Sequence, residues 1–202
     1  MRVFLFLFVV SMGLDAVAEP VLGPNTAEKL IDQGLQSQAL LWLPFPLPYE
    51  VERRSKSKDA RLLAALHKYG LVERDKAMQM EKIDDDDDAR KRLKLLWVYR
   101  YPDNKPLLDQ EGFYYGRGKL KNILELSPPV ARGDYYYVEA YVQWYVDDMQ
   151  AWIKDPAFRI ARTLRRSAES YEKPFEKKVY LEYHQGQWHY WQPAPGEGPL
   201  GW

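Results

Sequence analysis

The stretch with most chemistry in it is Asp134 to Val146 (DYYYVEAYVQWYV). Side chains of a strand alternate between its two faces. One face would hold Tyr136, Val138, Ala140, Val142, Trp144 and Val146, which is a core face. The other would hold Tyr135, Tyr137, Glu139, Tyr141, Gln143 and Tyr145. A tyrosine ring has a large apolar body and a hydroxyl that stays hydrated, and tyrosine anchors recur at protein interfaces. The same rings can stack on sugars, with Glu139 and Gln143 giving hydrogen bonds. Ordinary cross-strand packing on a half-exposed face, or cover by another segment, accounts for the same residue types.

Three weaker constellations follow. Arg159, Arg162 and Arg166 are spaced three and four apart, so on a helix opened by Asp155 and Pro156 they share a face. Such a basic stripe could take an acidic partner or a phosphate, or be a solvated face paired with nearby acids. His184 and His189 flank Gly186 and would oppose each other across a type II′ hairpin, with Glu182 and Trp191 on the same face. They are the only metal candidates, and zinc wants three or four protein ligands. Asp84 to Asp88 is a run of five acids, but a calcium loop starting there would need glycine at its sixth position and glutamate at its twelfth. Those positions hold Ala89 and Leu95. No nucleophile elbow, zinc-protease helix, phosphate loop or dinucleotide fingerprint occurs. The reading therefore leans away from an enzyme, and no cofactor is implied.

The elements that must position these residues sit on a chain of 202 residues with 29 basic and 29 acidic side chains and no cysteine. Neutral charge argues against a nucleic-acid binder, which shows a basic footprint. The absence of cysteine excludes disulfides and thiolate chemistry. Met1-Arg2, the apolar run Val3 to Val10, and Ala16-Val17-Ala18 have the form of a secretory signal, cleaved between Ala18 and Glu19. A membrane span needs about 20 apolar residues, so no span is expected after cleavage, and the destination would be periplasmic or secreted.

Residues 19–58 read as an N-terminal arm. A helix opened by an Asn25/Glu28 capping box carries Leu30, Ile31, Leu35, Ala39 and Trp42 inward. The proline-rich strap Leu43 to Tyr49 follows, which covers its own domain or docks elsewhere, and then a charged linker from Val51 to Lys58. Residues 59–192 form the main domain. It opens with a helix bearing Leu62, Leu63 and Leu66, ended by Gly70. Leu93 to Tyr101 then alternates, with Leu93, Leu95, Trp97, Tyr99 and Tyr101 on one side. Strands over 112–126 and Asp134–Val146, a helix from Pro156 to about Ser170, and a hairpin from Val179 to Gln192 complete it. Residues 193–202 are a Pro/Gly tail.

The run Leu62 to Asp75 (LLAALHKYGLVERD) resembles the helix–Gly–Leu–strand segment of winged-helix domains. That resemblance implies a recognition helix and a short β-wing. No basic recognition helix accompanies it, so only the local shape is carried over. The expected fold is α+β: a curved antiparallel sheet of about five strands, helices on one face, preceded by the N-terminal helical arm. The expected role is a small exported binding protein that recognises another envelope or secreted protein, in the manner of an inhibitor or immunity protein. The alternatives are a carbohydrate or small-ligand module on the tyrosine face, and a hydrolase whose acids converge only in three dimensions.

Overall fold

The computed structural model describes residues 19–82, 91–103 and 112–192. The expected signal, the Asp84–Asp88 run and the Pro/Gly tail lie outside the described residues. In chain order the elements are α1 (Pro24–Gln36), β1 (Ala39–Trp42), β2 (Tyr49–Glu52), α2 (Lys58–Lys68), β3 (Glu73–Lys82), β4 (Lys91–Arg100), β5 (Phe113–Leu126), β6 (Val130–Arg132), β7 (Tyr135–Asp147), α3 (Arg162–Ala168), β8 (Phe175–His184) and β9 (Gln187–Trp191). Two 3-10 segments, Ala151–Lys154 and Pro156–Ile160, lie between β7 and α3.

The expected α+β architecture is present. Its larger sheet runs β1-β5-β7-β8-β9, antiparallel throughout, and β6 joins β7 on the side that β5 has left. Pro128 and Pro129 separate β5 from β6, since proline cannot donate to a ladder. Register shifts in β5 between Leu120 and Asn122, and between Ile123 and Glu125, add curl to the sheet. Across the inner face lies α1, with Ala27, Ile31 and Leu35 packed on Val138, Ala140, Val142, Val179 and Leu181. Gly34 brings α1 down onto the Tyr190 ring.

The N-terminal residues are woven into both sheets, and here the sequence-based expectation needs correction. The opening helix uses Gly23 as its N-cap and Pro24 in its first turn, with no side-chain capping box. The fixed φ of proline suits that position. The helix stops at Gln36, where the Ser37 N–H and hydroxyl take up the carbonyls of Gln33 and Gly34. Ala39–Trp42 is then strand β1, because the edge of β5 offers it a ladder. Val51, expected in a solvated linker, is buried in β2.

A smaller sheet, ordered β2-β4-β3, packs under α2. Ser57 caps α2 by accepting from the Ala60 N–H at 3.1 Å, and Gly70 follows it at φ +69°. Trp42 and Phe45 of the strap and its approach are buried with Val51, Leu62, Leu63, Leu66 and Tyr99, and Leu47 and Tyr49 lean against them. The strap thus covers its own domain. The expected helix from Pro156 to about Ser170 is two pieces. The Asp155 carboxylate accepts from the Ala157 N–H at 2.9 Å and starts a 3-10 turn, and extended Ala161 separates that turn from α3.

Candidate binding face

The site is the outer face of the larger sheet, opposite α1. β7 lies between β5 and β8, so its six outward residues stand in the middle of the face, and all six are half-buried. The strap is not there, and no described helix lies over them. Each outward residue meets a defined cross-strand neighbour: Tyr137 opposes Glu182, Glu139 opposes Tyr180, Tyr141 lies between Lys178 and Glu125, and Gln143 lies between Glu176 and Asn122.

The polar groups of this face hold one another in place. Tyr141 donates its hydroxyl to Glu176 Oε2 at 2.5 Å, and Gln143 Nε2 donates to Oε1 of the same carboxylate at 2.9 Å. Asn122 Nδ2 donates to Gln143 Oε1 at 3.2 Å. Glu139 takes Lys178 Nζ at 2.9 Å and the Tyr180 hydroxyl at 3.1 Å. The rings are ordered as well. Tyr135 stacks on His184 with centroids 4.4 Å apart, and Tyr137 and Tyr180 meet Trp191 edge-on at 6.4 and 6.0 Å. Tyr145 meets Tyr171 edge-on at 5.1 Å.

These contacts fix the protonation states. Burial, with a hydrogen bond to Glu182 next in weight, pushes the Tyr137 hydroxyl up to about 12. The hydrogen bond to Glu176 raises Tyr141, and the bonds from Tyr141 and Gln143 lower Glu176. At neutral pH Tyr137 and Tyr141 are therefore neutral donors and Glu176 is an anion. A general acid for hydrolysis needs a carboxyl shifted the other way, so Glu176 does not supply one. An open depression of about 300 Å³ lies at the edge of the face, lined by residues including Lys178, Tyr180, Trp191 and Gln192.

The other sequence-derived candidates are not brought to this face as a group. Arg166 donates to the carbonyls of Lys173 and Pro174 and lies over the Phe175 ring at 4.3 Å, so it fastens the α3–β8 connection. Arg159 sits in the preceding 3-10 turn and Arg162 opens α3, so the three do not form one helical stripe. The histidine register also differs. The two-residue turn is Gln185-Gly186, both at positive φ, which pairs His184 with Gln187 and His189 with Glu182. The histidines share a face but do not oppose each other, and among the described residues no three His, Asp or Glu side chains gather as a metal group.

What sequence reading missed is the contribution of β8 and β9: Glu176, Lys178, Tyr180 and Trp191. The alternation in FEKKVYLEYH was the available signal, but only the β7–β8 pairing makes it part of the tyrosine face. Comparison of the chain with family models, with curated proteins and with solved structures finds no match.

Proposed function

We propose that this chain is an exported binding protein whose tyrosine face recognises another envelope or secreted protein. One observation carries the reading: Tyr135, Tyr137, Glu139, Tyr141, Gln143 and Tyr145 occupy one face left uncovered by the described helices and strap, with their side chains already locked by cross-strand partners. Side chains ordered in advance lose less entropy on binding. An open face with aromatic anchors suits a protein surface, whereas small ligands favour enclosed pockets. Around Tyr141 the carboxylates Glu125, Glu139 and Glu176 outnumber Lys178, which suits a partner presenting arginine or lysine. Export rests on the N-terminal charge, apolar run and A-x-A site.

The test is affinity capture from the host's envelope fraction with mature Glu19–Trp202, beside a Tyr137→Ala/Tyr141→Ala variant whose melting shows it folded. The reading predicts a defined protein retained by wild type and lost by the variant, and intact mass of the native protein beginning at Glu19. Retention that is equal for both baits would overturn the assignment of this face. Binding to a glycan array with no protein present would move the reading to the carbohydrate alternative.

A further inference from the structure

The smaller sheet has two unlike faces. Cross-strand register puts Arg74, Lys76, Met78 and Met80 of β3 on the same side as Leu93, Leu95, Trp97 and Tyr99 of β4. α2 and the strap cover the Tyr99 end of this side. Beyond that cover the surface is open: Met78 is 74% exposed, Met80 60%, Leu93 52% and Leu95 41%. Arg53 and Arg74 lie over the Trp97 ring at 4.8 and 4.1 Å, and neither they nor Lys76 form an ion pair among the described residues. The reverse side holds the acids of β3, and they are matched: Glu73 and Asp75 each at 2.9 Å from Arg100, Glu81 at 2.6 Å from Lys94. The open side is thus apolar with unmatched cations, and the acids stand elsewhere.

The second observation is the edge. Among the described residues β3 is the outer strand of β2-β4-β3, ten residues paired to β4 in unbroken register. An outer strand has a row of backbone donors and acceptors facing away from its sheet, and proteins commonly blunt such edges with charged side chains, proline, bulges or short length; β3 carries charges at both ends only. β3 has no proline, no glycine and no bulge, and its middle, Ala77 to Met80, is uncharged.

We propose that β3 is a strand-addition site for an extended segment of a partner protein, with carboxylates set against Arg74 and Lys76 and apolar side chains set against Met78 and Met80. Main-chain bonds along the edge would give affinity, and the side-chain pattern would give specificity and direction. A lipid surface matches the apolar and basic residues but offers nothing to an open backbone edge, which hydrocarbon does not tolerate. The site is separate from the tyrosine face, so either assignment can fail alone.

A labelled nine-residue peptide tests this on the full mature chain: Thr-Leu-Thr-Val-Thr-Glu-Thr-Glu-Thr, which in antiparallel register puts leucine and valine across from Met80 and Met78 and the two glutamates across from Lys76 and Arg74. Fluorescence anisotropy should report saturable binding. Lys76→Glu should weaken it about fivefold or more, since a cross-strand charge pair becomes a repulsion, and replacing only the peptide glutamate that faces position 76 with lysine should restore binding to that variant. Met78→Ser/Met80→Ser changes only exposed side chains and should also weaken it. Two peptides N-methylated on alternate residues, in the two phases, should behave oppositely, one binding and one not. Equal behaviour of those two peptides would overturn strand addition, as would absence of binding. Met78- and Met80-dependent uptake onto phosphatidylglycerol vesicles, or a dimer lost in the same double variant, would also overturn it by naming another occupant.

Discussion

Gly34 shows how much one missing carbon atom decides here. An exposed helical glycine is usually improved by alanine, by about 1 kcal/mol. A Cβ at Gly34 would instead sit 2.2 Å from Tyr190 Cγ, inside the ring that α1 rests on. Relief requires α1 to lift or the ring to leave the core, and overpacking of this kind costs about 1–3 kcal/mol. Gly34→Ala should therefore lower the melting temperature, where helix propensity alone says it should rise. Tyr137 gives a second prediction at this scale. Its hydroxyl titrates near 12 in the fold against 10.0 for the ordinary group, so the folded state holds the proton more tightly. The stabilisation linked to that proton is complete below pH 10 and is lost as pH rises from about 10 to about 12. Tyr49, Tyr141, Tyr180 and Tyr190 are raised as well, so titration by tyrosinate absorbance should show the late part of the curve smaller by one group in Tyr137→Phe, and the variant should lose stability less steeply across that interval.

Among the elements, the β8–β9 hairpin shows where turn chemistry and register part company. A two-residue turn with positive φ at both positions matches the twist of the strands, and asparagine followed by glycine suits it best. Here Gln185 takes φ +51° ahead of Gly186 at +84°, although a long side chain is disfavoured in the left-handed region. Gln185→Asn should raise stability by about 0.5–1 kcal/mol in chemical denaturation, with the face of His189 and Trp191 unchanged. The sequence showed that a hairpin turned near Gly186, but the expected type II′ turn made the glycine its first central residue, whereas it is the second. A shift of that turn by one position moves each pairing by two residues and keeps the faces, so face composition was legible while the His184–His189 pairing was not. The same division holds for β7. Its two faces follow from alternation within one strand, whereas its bonds to Glu176 and Tyr180 depend on β8 being its neighbour, which only the long-range pairing decides. Ala39–Trp42 failed as helix for a related reason: its four apolar residues suit either state, and the edge of β5 decides.

At the scale of the molecule, two cores share one seam. One is built from α1 and the inner face of β7 and β8; the other gathers the strap, α2, the 3-10 turns and α3. The second core draws on both sheets, taking Val51 and Tyr99 from the smaller and Phe113, Tyr115 and Val146 from the larger. Trp144 packs against both cores and tilts on Phe175 at 4.8 Å. Neither core can therefore open without stripping cover from the other, which is the condition for all-or-none unfolding. In urea, far-UV circular dichroism and tryptophan fluorescence should give coincident single transitions. Trp144→Ala should remove about 3 kcal/mol, the lower end for a large aromatic because the ring is only half-buried, and should pull the two probes apart as the cores lose their common side chain. If the variant is destabilised but the transitions stay coincident, cooperativity runs through the continuous strands β5 and β7 rather than through this ring. If wild type already shows two transitions, the shared residues do not couple the cores at all.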